Sequence, residues 1–125
     1  MAVEDGAILG LLLARLQSAS TANTRAEKNN QFTKLFQFYQ DLRKKRTEIN
    51  VAGAVQTRHY YHLPDGNEQI LRDRELRALS ESNWKGKCSF NWGDADIQKS
   101  LLGFDVFTEA DEKFDKWWAS QSLGI

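Results

Sequence analysis

Leu9, Leu12, Leu13 and Leu16 recur at i, i+3, i+4 and i+7, the spacing that gathers side chains on one face of an α-helix. The stripe predicts a helix over residues 3–18. Ile8 and Leu11 widen its apolar arc almost around the cylinder, so this helix belongs to a core or a subunit interface rather than to a solvent-facing surface. Glu4 and Asp5 suit its positive N-terminal end. Residues 18–24, rich in Ser, Thr, Ala and Asn, then break the pattern.

Thr24-Arg25-Ala26-Glu27 matches a capping box and starts a second helix, expected to run to about Thr47. Phe32, Leu35, Phe36, Phe38, Tyr39 and Leu42 occupy an arc of about 160° on it at 100° per residue. Lys28 and Arg46 return to the middle of that arc, so the expected buried part is the three central turns, with both ends projecting. The basic run Arg43-Lys44-Lys45-Arg46 fits the negative end of a helix ending near Thr47.

From Val51 the pattern changes. Val55, Thr57, His59, Tyr61 and Leu63 alternate with Gln56, Arg58, Tyr60 and His62, the period of a strand. Pro64-Asp65-Gly66-Asn67 is a turn signal, because proline pre-sets φ and glycine accepts positive φ. A return strand over residues 68–73 followed by a helical turn is the preferred continuation. A helix over residues 67–82 competes, supported by the Leu-, Arg- and Glu-rich composition of residues 70–79. Cys88, Phe90 and Trp92 share a face if residues 84–92 form a third strand. Asp94 as N-cap and Gly103 as stop then frame a short helix, and Thr108 is expected to cap a last one over residues 109–121, with Asp111 at the capping-box position. Phe107, Ala110, Phe114, Trp117 and Trp118 make its stripe heavily aromatic.

The expected fold is therefore α+β: two N-terminal helices, a central antiparallel β-hairpin or small three-stranded sheet, and a C-terminal amphipathic helix. At about 100–200 residues per domain, 125 residues are expected to form a single domain, residues 1–125. Seventeen Lys+Arg balance seventeen Asp+Glu and 41% of residues are apolar, which argues against wholesale disorder or a polybasic arm. The longest apolar stretch, residues 7–14, is far short of the ~20 residues that span a bilayer, and acidic rather than basic residues precede it. A cytoplasmic protein without a membrane segment is expected.

Candidate chemistry is sparse. On a strand His59 and His62 would face opposite ways and could not share a metal. Cys88 reads as a small hydrophobe rather than a nucleophile. Residues 94–105 lack the sixth-position glycine and twelfth-position glutamate of a calcium loop. Gly86, Gly93 and Gly103 do not fit a phosphate-binding spacing. No catalytic residue, metal site or cofactor is expected.

Binding surfaces are better supported. The all-round apolar first helix and the aromatic last helix predict a non-enzymatic interaction or assembly protein, such as a structural subunit, adaptor, inhibitor or viral accessory protein. It would self-associate as a homo-oligomer or take a protein partner through Ile8, Leu11 and Trp118. Trp117, nearer the centre of its stripe, is expected in the core. The alternative is an RNA- or DNA-binding accessory protein, using Arg43, Lys44, Lys45, Arg46, Arg58 and Tyr60 to neutralise phosphates and stack on bases.

Overall fold

The computed structural model describes residues 1–103 and 105–122. These residues form five α-helices: α1 (Ala2–Ala19), α2 (Arg25–Tyr61), α3 (Asn67–Glu81), α4 (Ala95–Leu102) and α5 (Val106–Ser122), with a 3₁₀ turn at Asn91–Gly93. No strand occurs among the described residues, so the expected α+β fold, with its hairpin and third strand, is corrected to an all-helical one. They fall into two compact units, residues 1–47 with 105–122 and residues 48–103, and α2 contributes to both.

In the first unit the predicted stripe of α1 buries Ile8, Leu12 and Leu16 against Leu35 of α2 and Ala110 and Phe114 of α5. Leu11, Leu13, Phe38, Tyr39, Leu42, Trp117 and Trp118 pack around that core. Phe38 stacks on Trp117 with ring centroids 5.0 Å apart, and Phe114 lies parallel to Trp118 at 6.0 Å. The Thr24 capping box forms as predicted. Thr24 Oγ1 accepts the Glu27 N–H at 3.2 Å, while Glu27 Oε2 accepts the N–H groups of Thr24 and Asn23. These bonds, the Thr24 N–H foremost, hold the Glu27 carboxyl below its usual range. The last helix starts earlier than expected. Asp105, rather than Thr108, accepts the N–H groups of Phe107 and Thr108, and Thr108 donates its hydroxyl to the same carboxylate.

The largest correction concerns residues 48–61, which continue α2 as helix instead of forming a strand. The reason lies in which residues face inward. Asn50, Gly53, Gln56, Thr57 and Tyr60, at helical spacing, are the shielded positions, while Val51 and Val55 are exposed. The inward stripe is polar and small, so a search for apolar periodicity passes over it. The basic run at Arg43–Arg46 consequently lies inside a helix rather than at its C-terminal end.

The turn at Pro64-Asp65-Gly66 is present, with Gly66 at φ 155°, but it leads into α3 rather than a return strand. Arg72, Leu76 and Leu79 mark the shielded side of α3 at i, i+4 and i+7. Beyond α3, Asn83 and Trp84 take left-handed φ values of 57° and 61°, ending the helix where a third strand was expected to begin. The Trp84 N–H donates to the Leu79 carbonyl at 2.7 Å. The 3₁₀ turn then presses Gly93 against Leu79. A Cβ at Gly93 would lie 3.2 Å from Leu79 Cδ1 and 3.3 Å from Cys88 Sγ. Asp94 caps α4 as predicted, accepting from the Asp96 and Ile97 N–H groups.

Candidate functional site

Three polar constellations emerge from this helical frame. The first is an ionic cluster in the first unit. Arg43 and Arg46 share one face of α2, three residues apart, and meet Glu4 and Asp5 in the first turn of α1. Arg46 donates from Nε and Nη2 to the two oxygens of Glu4 at 2.6 and 3.1 Å. Arg43 donates from Nε to Asp5 Oδ1 at 2.8 Å, and its Nη2 makes an ion-pair contact of 2.7 Å with Glu4 Oε1. Arg43 is only 4% exposed. Burial works against its charge, but Asp5 and Glu4 outweigh that and raise its pKa. The hydrogen bond from Arg46, and then those contacts from Arg43, hold the Glu4 carboxyl below the usual range despite partial burial. Burial, reinforced by the negative charge of Asp5, pushes the Tyr39 phenol up.

The second is a groove of about 740 Å³ between the C-terminal half of α1 and the first turns of α2. Leu13, Leu16 and Phe32 form its apolar walls, and Gly10, Lys28 and Gln31 also face it. Gln31 is held by the Ser20 hydroxyl, which donates to its Oε1 at 2.5 Å and itself accepts the Ala22 N–H at 3.1 Å. A neighbouring recess of about 430 Å³ is lined in part by Gln31, Lys34, Trp117 and Trp118.

The third constellation lies in the second unit. Glu75 Oε2 accepts the Tyr60 hydroxyl at 2.7 Å and the Ser89 hydroxyl, and the Cys88 thiol lies 3.9 Å away. Hydrogen bonds from Ser89 and then Tyr60 keep the Glu75 carboxyl low, while burial, with Glu75 adding to it, raises the Tyr60 phenol. The Tyr60 ring stacks on Phe90 at 4.8 Å. Gln56 completes the tie: its Nε2 donates to the Ser89 carbonyl at 3.1 Å and its Oε1 accepts the Asn91 N–H at 3.2 Å.

The sequence-predicted residues are dispersed by this frame. Ile8 is 0% exposed within the core of the first unit, so it offers no surface to a partner. Leu11 and Trp118 are half-buried against that core. Of the basic run, Lys44 and Lys45 are exposed, whereas Arg43 and Arg46 are engaged by Glu4 and Asp5. Arg58 is exposed, and Tyr60 is committed to Phe90 and Glu75 rather than open for base stacking. The six residues of the nucleic-acid reading are therefore not presented as one basic, aromatic strand face. His59 and His62 flank the same shallow surface with Val55 and Arg58, because helical geometry replaces the opposed strand faces. Among the described residues no group of three or more His, Cys, Asp or Glu side chains is placed to hold a metal ion.

Sequence reasoning did not find Gln31, Gln56 or Glu75. Each is a polar residue fixed by a partner distant in sequence, and local spacing carries no mark of that. Only the capping box at Thr24, which sets the first turn of α2 and hence the azimuth of Gln31, was a usable signal.

The described residues thus form an all-helical chain in two compact units. Comparison with known proteins adds one likeness: the chain is 30% identical over 110 residues to an FAD-dependent monooxygenase, OpS4, of Beauveria bassiana (strain ARSEF 2860). That match takes in 88% of this chain but 23% of the monooxygenase, so the chain spans about a quarter of that relative's length. No family model matches the chain, and no solved structure does. No helix among the described residues is long and apolar enough to cross a membrane.

Proposed function

We propose that this chain is a helical interaction module that serves an FAD-dependent monooxygenase, supplying packing surface rather than catalytic groups. The observation that carries the interaction role is the inverted placement in the second half of α2. There Asn50, Gly53, Gln56, Thr57 and Tyr60 turn inward while Val51 and Val55 stand 59% and 56% exposed. On α3, Ile70 and Leu71 are likewise 45% and 59% exposed. Val51 and Val55, one turn apart, are neighbours on one helix face, and contiguous apolar side chains left in water mark surfaces that associate with another polypeptide. The occupant of this surface is the remainder of a flavoprotein of the monooxygenase kind, in a cytoplasmic setting where the lone thiol of Cys88 stays reduced.

The 110-residue likeness supports the choice of assembly. The absence of a glycine-rich phosphate loop spacing from the sequence supports assigning flavin binding to that remainder rather than to this chain. The test is a segment exchange in which these residues replace the matching stretch of the Beauveria monooxygenase. The chimera is expected to fold, retain FAD and oxygenate its substrate. A monodisperse, helical chimera that loses both FAD and turnover overturns the assignment. Val55→Asp in the chimera should weaken FAD retention while leaving the isolated chain as helical as before.

A further inference from the structure

We propose that the groove between α1 and α2 in the first unit is a binding site for an amphipathic carboxylate: one apolar chain or ring bearing a single carboxyl group. Its volume of about 740 Å³ falls within the usual ~300–1,000 Å³ of small-molecule sites. Leu13, Leu16 and Phe32 supply apolar walls, and the Phe32 ring is 42% exposed on the α2 side of the groove. At Gly10 the wall is open, since a Cβ built there would meet nothing within 4 Å.

The polar side of the groove selects the sign of the ligand's charge. Lys28 is the one charged side chain among its described lining residues. Gln31 stands one turn further along the same helix. The Ser20 hydroxyl occupies its Oε1, which fixes the amide orientation and leaves the Nε2 N–H groups as donors. An ammonium and an amide donor three residues apart on one helix face suit a carboxylate, and the apolar walls suit what is attached to it. Glu27, the nearest acid in sequence, is already occupied by the N–H groups of Asn23 and Thr24. The site belongs to the first unit alone and does not depend on the monooxygenase assignment.

Calorimetric titration of the full chain with octanoate, 1-octanol and octylamine tests the assignment. Octanoate is expected to bind with one-to-one stoichiometry, about tenfold or more tighter than octanol, and octylamine most weakly. Lys28→Gln should bring octanoate down to the affinity of octanol. Gly10→Leu should abolish binding of both by filling the groove, while circular dichroism stays unchanged, because the site is open and leucine favours helix over glycine. No octanoate binding, equal affinity for octanoate and octanol, or full binding by a folded Gly10→Leu variant would each overturn the proposal.

Discussion

In the first unit Ile8, Leu12, Leu16, Leu35, Ala110 and Phe114 close an apolar core from three helices, and charged groups are added at its edge. In the second unit Leu79 and Phe90 are the large apolar side chains that become buried among the described residues, and cohesion falls to hydrogen bonds from Gln56, Tyr60 and Arg72. Arg72 donates from Nη1 to the Tyr60 carbonyl at 2.7 Å, tying α3 to the end of α2. A buried large apolar side chain contributes about 1.5–3 kcal/mol, whereas a typical hydrogen bond nets about 0.5–1.5 kcal/mol because water competes for both partners. The two units therefore differ in resistance to unfolding, and the second unit should open first.

The strongest way to break this comparison is Phe114→Ala. The ring is 1% exposed, contacts Trp117 and Trp118, and carries the Arg15 guanidinium 5.1 Å above its face. Its loss should cost about 3–5 kcal/mol in urea unfolding. A loss under about 1 kcal/mol would mean that the core is not the main support of the first unit.

Gly53 gives the next largest effect and addresses the second unit directly. Proline at this position removes a donor from the middle of α2 and should cost about 3 kcal/mol or more. Alanine should instead stabilise by up to about 1 kcal/mol, since its Cβ would rest at an ordinary 3.5 Å from Trp92 Nε1 and helix propensity improves. Thermal melts of the two variants test whether residue 53 lies inside a regular hydrogen-bonded element. Equal tolerance of both substitutions is the outcome incompatible with a continuous α2.

Arg43→Ala removes a buried cation from between two carboxylates. It should cost about 2 kcal/mol, below the ~3–5 kcal/mol of a fully buried pair, because Glu4 and Asp5 remain 20% and 30% exposed. The same cluster sets an acid limit. The Glu4 carboxyl titrates lower in the folded protein than in the unfolded chain, so the folded state binds fewer protons in that range. Its contribution is complete above the ordinary value of 4.5 and disappears as pH falls through the lowered native value. Glu4→Gln should flatten the acid side of the stability profile, and an unchanged profile would remove Glu4 from the account.

Gln56→Ala is milder than Phe114→Ala, Gly53→Pro and Arg43→Ala. It deletes two bonds to the backbone of residues 89 and 91, at a net cost of about 1–2 kcal/mol. Hydrogen exchange should show faster opening confined to residues 48–103 among those described. Acceleration spread equally over both units would erase the distinction between them.

The sequence by itself determined the elements whose signals are local. The leucine stripe of α1, the Thr24–Glu27 capping box, the Asp94 cap of α4 and the aromatic stripe of α5 all follow from spacing within a few residues. The Pro64-Asp65-Gly66 turn was legible as well, though not what it joins. Only the tertiary structure decided residues 48–61 and 67–81. There the shielded positions of α2 are Asn50, Gly53, Gln56, Thr57 and Tyr60, made suitable for an interior by Ser89, Asn91, Glu75 and Trp92. A polar residue is acceptable inside a protein only when a partner satisfies it, and partners from other segments leave no trace in local periodicity. The alternation of Val55, Thr57, His59 and Tyr61 looked like a strand for that reason, although no proline stands between Arg25 and Tyr61 to stop the helix. The candidate sites follow the same division. The cap that positions Gln31 could be read from the chain, but its bond to Ser20, the pairing of Arg43 with Asp5 and the groove beside Lys28 exist only because packing brings distant residues within hydrogen-bond reach.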